Sequence, residues 1–339
     1  MIWLTWRQFR TQALAALAVL AATATYVLIT GPQMRHTYNA DLAACKTPRL
    51  ACGSLLPQVL EPYQSAEHLL GLLLLVLPAL IGIFWGAPLV AAEFERGTHR
   101  MVWNQSVTPA RWLAVKLSVV GLATVAATGL FSLMITWWSG PIDHITHDRF
   151  GALTFAARDI VPFGYAAFAF ALGTTLGLFL RRSLLAMALV LALFIPLQVL
   201  FASEIRANLL PTTTATMAIN GHTLGNQANG ISQRVGDPAG PITVLGLGPA
   251  SVWIQSATSI ENHSGQTIPG TQVAGCLNEP NASMANVGDC LAPYDLHVDY
   301  TYQPASNYWP LQWFETGIYL ALAGLLTGAC FWRIRRHRD

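Results

Sequence analysis

Six apolar runs, at 11–30, 69–92, 112–138, 160–180, 183–203 and 314–332, alternate with polar segments along the 339-residue chain. A hydrocarbon core of about 30 Å is crossed by about 20 mostly apolar helical residues. Each run meets that requirement, and the pattern predicts an all-α polytopic membrane protein with six transmembrane helices. Between the second and third runs lies a short charged stretch, Glu93 to Lys116. Between the fifth and sixth lies a long polar one, rich in Gly, Thr, Asn, Pro and Ser. The organisation expected is a membrane portion over 1–203, a separate domain over 204–311, and a last helix with a basic tail over 312–339.

Composition agrees with that reading. Hydrophobic residues make up 53% of the chain and charged residues 11%, with a mean hydropathy of +0.43. An average soluble domain carries about 25% charged residues.

Charge then orients the helices. Basic residues in short loops are retained on the cytosolic side. With an inner N-terminus, Arg7, Arg10, Arg96, Arg100, Arg111, Lys116, Arg181, Arg182, Arg333, Arg335, Arg336 and Arg338 all fall inside, twelve of the nineteen Lys and Arg residues. Both termini are expected in the cytosol, and the net charge of +2 is a topological signal with no nucleic-acid footprint. Trp3, Trp6 and Phe9 beside Arg7 and Arg10 predict a short interfacial helix before the first span. The length of the first apolar run argues against a cleaved signal peptide. Trp112 and Trp332 at inner ends, and Trp137, Trp138, Trp309 and Trp313 at outer ends, suit an aromatic belt.

Cysteine placement fits the same topology. Cys45 and Cys52 fall in the first outer segment and Cys276 and Cys290 in the last, where oxidation is permitted. Cys330 lies inside the sixth span as a packing residue. Four outer cysteines allow three pairings, and the two local ones are favoured because each closes a small loop. The 204–311 domain is expected to hold short strands such as Ile242–Gly248 and His297–Tyr302, stapled by disulfide.

Three spans carry small residues four apart that let helix backbones approach: Gly82 with Gly86, Gly173 with Gly177, and Gly324 with Gly328. The span centres lack Asp, Glu, Lys, Arg and His, which weighs against proton or sodium coupling. Mild polar residues remain as a candidate substrate path: Thr124, Thr128, Ser132, Tyr165, Thr174, Thr175, Gln198, Tyr319 and Thr327. Such a lining suits a hydrophobic or amphiphilic cargo. At outer boundaries, Glu67 and Glu315 could form an acidic rim selecting cations, or pair with neighbours at the interface. His144 and His147 have ligand-like spacing but too few partners for a zinc site.

The charged stretch between the second and third runs has its own shape. The second span continues as a helix through Glu93, Glu95 and Arg96 until Gly97 ends it in the left-handed conformation. Thr98 then caps a short helix containing His99, Arg100, Met101, Asn104 and Gln105. Thr108 caps the third span, with Pro109 at its first helical position. A helix of this mixed character fits a cleft on a soluble partner, or rests on lipid as an amphipathic re-entry.

The residues from Gly86 to Leu117 resemble the region between the second and third spans of permease subunits in ABC-type exporters, particularly actinobacterial two-component systems. The resemblance rests on Glu93, Glu95, Gly97, Thr98, Arg111 and Lys116. The opening Trp6–Arg10 and the closing Tyr302–Gly324 are similar to the same family's ends. It implies an ABCG-like membrane fold in which Glu93 to Gln105 includes a coupling helix touching the ATPase. The outer domain is larger than the compact hairpins usual in that fold. No phosphate-cradling G-x-x-x-x-G-K-[ST] loop exists, because neither Lys46 nor Lys116 follows the required glycines. This chain is therefore expected to need no cofactor of its own. ATP and Mg would bind two copies of a partner ATPase subunit, beside a second permease copy in the lipid. The competing readings are a cell-envelope enzyme, for which His222, His263, His297 and Asp299 form no recognisable motif, and a sensor or scaffold.

Overall fold

A computed structural model describes residues 2–44, 52–97, 108–146, 148–227, 230–233, 240, 242–245, 251–277 and 283–336. Two compact units emerge. One comprises Met1–Thr146, Gly151–Arg206 and Trp309–Asp339, and the other His147–Phe150 and Ala207–Tyr308. Among the described residues, six helical stretches are long and apolar enough to cross a membrane: Phe9–Ala40, Glu61–Glu95, Pro109–His144, Val161–Leu180, Ser183–Asn208 and Ala305–Arg336.

The first two helices are longer than their apolar runs. Helix α1 spans Ile2–Ala44 and α2 spans Cys52–Ile81, so most of the outer segment expected as a loop is helical. At 1.5 Å per residue, the 43 residues of α1 extend about 65 Å, roughly twice a hydrocarbon core. Apolar packing explains the extension, since Val27, Met34, Trp138 and Ile142 form a buried cluster with Tyr63, Ala66 and Leu70 against it. Arg35 strengthens the contact, with its guanidinium 3.9 Å from the centre of the Trp137 ring and a hydrogen bond to the Trp137 carbonyl. The segment expected as a separate interfacial helix forms the opening turns of α1, without a break before the first span.

A π-helical turn over Gly82–Gly86 follows α2, and α3 completes the second span at Ala87–Glu95. Then come α4 (Pro109–Thr146), the short α5 (Ala152–Ala156) and α6 (Val161–Leu180). Helix α7 (Ser183–Leu200) continues through a second π turn, Phe201–Ile205, into α8 (Arg206–Asn208). Of the six spans, α6 has 72% of its apolar window buried, against 39% or less for the others, so α6 is the centre of the bundle.

Glycines place α6 directly against the second span. A Cβ added at Gly82 would lie 2.8 Å from the Ala169 carbonyl oxygen, and one at Gly86 2.7 Å from that of Phe170. Reciprocally, a Cβ at Gly173 would lie 2.2 Å from the Gly82 oxygen and one at Gly177 2.4 Å from the Ala87 oxygen. The glycine pairs of spans two and four therefore pack on each other, as small residues permit in lipid. A Cβ added at Gly324 or Gly328 would meet nothing within 4 Å among the described residues.

In the second unit, β1 (Thr213–Ala218) precedes α9 (Gly221–Gln227), the hairpin strands β2 (Gly230–Gln233) and β3 (Ile242–Leu245), then β4 (Trp253–Ala257) and β5 (Glu261–Asn262). Helices α10 (Ala274–Leu277) and α11 (Met284–Leu291) lead to β6 (Leu296–Gln303). Strand β6 lies between β1 and β4, antiparallel to both, and β5 also pairs with it. Leu296, Val298 and Tyr300 alternate inward along β6 and pack with Met217, Ile219, Leu224, Ile260 and Leu291. Cys276 and Cys290 are disulfide-bonded, Cα atoms 5.7 Å apart, as favoured from their spacing. Cys45 lies outside the described residues. The last span is α12, Tyr308–Arg336.

Two of the six boundary tryptophans face inward. Trp112 is 1% exposed among Val90, Leu113 and Leu178, and Trp138 donates its indole N–H to Thr30 at 2.9 Å. Each packs on neighbouring helices, so their positions answer to the bundle. Trp137, Trp309, Trp313 and Trp332 are exposed.

Candidate functional site

The end of α3 is built to stop and to hold. Arg96 N–H bonds the Ala92 carbonyl at 3.2 Å, Gly97 N–H bonds that of Phe94 at 3.2 Å, and Gly97 adopts φ +68°. Residues 98–107, with Thr98 and the expected coupling helix bearing His99, Arg100, Met101, Asn104 and Gln105, lie outside the described residues. At the other flank, Thr108 Oγ1 accepts from the Arg111 N–H at 3.3 Å and its carbonyl accepts from Trp112 at 3.0 Å, with Pro109 opening α4.

Each of the two α3 glutamates reaches another span. Glu93, 8% exposed, is ion-paired with Lys116 of α4, which is 3% exposed. The Lys116 ammonium also donates to the Leu89 carbonyl at 3.2 Å and lies 4.9 Å from the Trp112 ring centre. Burying both charges is costly unless they pair, and here the ion pair and the Leu89 carbonyl both answer the ammonium. Glu95 uses both carboxylate oxygens on Ser183, accepting from its N–H and its hydroxyl at 2.7 Å each. The N-terminus of α7 has unfilled N–H groups and positive dipole charge, and Glu95 satisfies it from a neighbouring helix. Arg181 lies 5.2 Å over the Phe94 ring at the same corner. Helix α3 is thus tied to α4 and to α7 at the point where it meets segment 98–107. Sequence reasoning listed Lys116 only as part of a pattern and missed Ser183. One signal was available, because Lys116 is one of only two lysines in the chain.

At the opposite end of the bundle a second charged group is buried. Arg206 donates from Nε to Glu315 Oε2 at 2.8 Å and from Nη2 to Oε1 at 3.0 Å. Tyr165 donates its hydroxyl to the same carboxylate, and the Arg206 guanidinium stacks 4.2 Å from the Phe155 ring centre. Nearby, Gln312 accepts from the Val161 N–H at 3.1 Å and donates to the Phe155 carbonyl at 3.2 Å. Of the two readings of Glu67 and Glu315, pairing with neighbours is the one found, and the acidic rim is not. Glu315 is fully buried and answered by Arg206, while Glu67 accepts from Arg158 at 2.6 Å. Asp143 also lies 3.7 Å from Arg158. Both carboxylates act between helices, where their partners neutralise them.

A cavity of about 450 Å³ opens between α2, α5, α6 and α7, within the size range of small-molecule sites. Its walls are apolar, including Val76, Ala79, Leu191, Ile195 and Ala202, except for Tyr165 and Gln198. Gln198 Nε2 is buried with no hydrogen-bond partner among the described residues. Of the path candidates, Tyr165 and Gln198 are therefore brought together. Thr124 and Thr128 are fully buried along α4, Thr174 donates to the Phe170 carbonyl at 2.8 Å, and Tyr319 packs edge-on against Tyr165 with ring centres 4.7 Å apart.

Two of the four polar candidates of the second unit have local partners. Asp299 accepts from the Thr216 hydroxyl at 2.5 Å, and His263 lies 3.8 Å from Asp295. His222 sits on α9 and His297 on β6. His147, half of the H-x-x-H pair, lies outside the described residues.

A family model for ABC-2 membrane transporter related proteins matches residues 17–206. No curated protein and no solved structure matches the chain. The matched stretch is more than half of the chain and holds Glu93, Glu95, Lys116, Ser183 and Arg206. The chain belongs to the ABC-2 membrane transporter related family, as a multi-pass permease component of an ABC transporter that associates with an ABC ATPase subunit.

Proposed function

We propose that this permease serves a two-component exporter of the actinobacterial type, with an ABCG-like membrane fold. It moves a hydrophobic or amphiphilic small molecule, such as a drug, an antibiotic or a lipid-like compound, out of the cell. Two permease copies, identical or paralogous, pair with two ATPase copies that bind ATP and Mg. Lys116 is engaged by Glu93, and neither it nor Lys46 follows the glycines of a phosphate-cradling loop, which supports assigning ATP to the partner subunit. Both termini face the cytosol, which sets segment 98–107 against the ATPase.

The observation that carries this reading is the double anchorage of α3. A push delivered to segment 98–107 reaches α3 through Gly97 and α4 through Thr108. Glu93 and Lys116 bind those two helices together, and Glu95 passes the displacement to α7 through Ser183. Rigid elements joined in this way move as a unit. The cavity holding Tyr165 and Gln198 borders α2 and α7, the two spans that such a movement shifts. Its apolar walls suit the cargo class.

Charge reversal at Glu93 and Glu95 in the reconstituted complex is expected to abolish transport-coupled ATPase activity, with the pair-restoring exchange Glu93→Lys with Lys116→Glu as the control for folding. Unchanged coupling would reject the assignment. Purification of the chain without any stoichiometric ATPase would favour a sensor or scaffold instead.

A further inference from the structure

A second cavity of about 450 Å³ lies on the other side of the second span, between α1, α2 and α4, with Ala16, Leu20, Leu77, Phe84 and Phe131 among its walls. It borders a smaller space of about 330 Å³ whose walls include Glu93 and Arg96. Gln12 and Trp85 line both. The two spaces differ in chemistry. The larger is almost wholly apolar. The smaller has two charged walls, of which Glu93 is matched by Lys116 while Arg96 is exposed. Arg10, also exposed, lies on α1 two residues before Gln12. Gln12 itself donates to the Phe84 carbonyl in the π turn at 3.0 Å, which fixes the shared wall.

An apolar slot running along the spans towards a mouth whose exposed charged wall is Arg96 has the polarity of one lipid molecule. We infer that the two spaces form a single groove holding an anionic phospholipid of the surrounding bilayer, one acyl chain between α1 and α2 and the phosphate at Arg96. Charge complementarity selects this occupant. A basic residue near an anionic headgroup contributes favourably, and an uncharged mouth would not discriminate. The lipid sits one turn from the Glu93–Lys116 pair, so its headgroup lies beside the tie between α3 and α4. The inference requires only that the protein is membrane-embedded, and it stands or falls separately from the cargo and its direction.

The test uses the full-length chain in nanodiscs with alkyne-tagged, photoactivatable phosphatidylglycerol or its phosphatidylcholine counterpart, and cross-linked peptides are mapped by mass spectrometry. Adducts are expected on the peptides bearing Ala16 and Leu77–Trp85, about fivefold more with the glycerol probe than with the choline probe, as one basic residue supports. Arg96→Glu removes that preference. Ala16→Trp or Ala127→Trp, each filling the slot, lowers labelling by both probes, with labelling of the exposed Leu184 on α7 as the folding control. Equal labelling with both headgroups, or labelling no greater than at Leu184, overturns the proposal. So does a disulfide-linked dimer through Ala16→Cys, which would make a second copy the occupant.

Discussion

Arg206 forks onto Glu315 across the top of the bundle, with its Nε 2.8 Å from Oε2 and its Nη2 3.0 Å from Oε1. The two residues are 1% and 0% exposed. Tyr165 reaches the same carboxylate, so α6, α8 and α12 converge on one neutral cluster. A buried pair of this kind contributes little net stability relative to an apolar isostere, yet losing either partner strands a charge.

Arg206→Met or Glu315→Leu alone is therefore expected to destabilise the membrane unit by about 3–5 kcal/mol. The double replacement should recover most of that loss. Thermal unfolding in detergent, read as a double-mutant cycle, checks this. Equal and additive losses would show that the two side chains do not act as a pair.

Gly173→Ala is expected to destabilise the fold by about 1–3 kcal/mol, the usual cost of overpacking. Its Cβ would stand 2.2 Å from the Gly82 carbonyl oxygen, where only backbone could yield. Gly328→Ala, whose Cβ would meet nothing within 4 Å among the described residues, should leave the stability of the isolated chain unchanged. Comparing the two in monomeric detergent preparations gives the contrast.

In the cavity, Ala202→Trp is expected to remove stimulation of ATPase activity by amphiphilic compounds while basal hydrolysis continues. The added ring would occupy much of the 450 Å³ space beside Gln198. Gln198→Leu should instead shift the preference towards less polar compounds, because it removes the one buried amide in the wall. A dose series of structurally related amphiphiles measures both effects.

Reduction of the Cys276–Cys290 bond should lower the stability of the second unit by about 3 kcal/mol, the loop-closure figure for a sequence separation near 14. Limited proteolysis with and without reductant, repeated on Cys276→Ser, is the measurement. The thermal transition of the membrane unit should move little.

What was legible in the sequence was local. Each span announces itself because the cost of crossing lipid is summed along one continuous segment. Thr108 with Pro109 and Gly97 mark helix ends through their own backbone preferences, and Cys276 lies close enough in the chain to Cys290 for the bond to be favoured. The alternation in β6 is likewise a property of eight consecutive residues.

Partnerships were another matter. Glu93 with Lys116, Glu95 with Ser183 and Arg206 with Glu315 are separated by 23, 88 and 109 positions, and each depends on how a helix is rotated about its axis. A single sequence carries no term for that rotation. The same ignorance made three glycine pairs look alike, when two pack on each other and the third faces out. It also left Trp112 and Trp138 as interfacial residues, and the C-terminal part of α1 and the N-terminal part of α2 as a loop. Hydropathy determined that this chain enters the membrane and how often. Only the packing of one helix on another decided which charges are neutralised, where cavities remain and how α3 is tied to its neighbours. Those depend on contacts between segments that the linear order keeps apart.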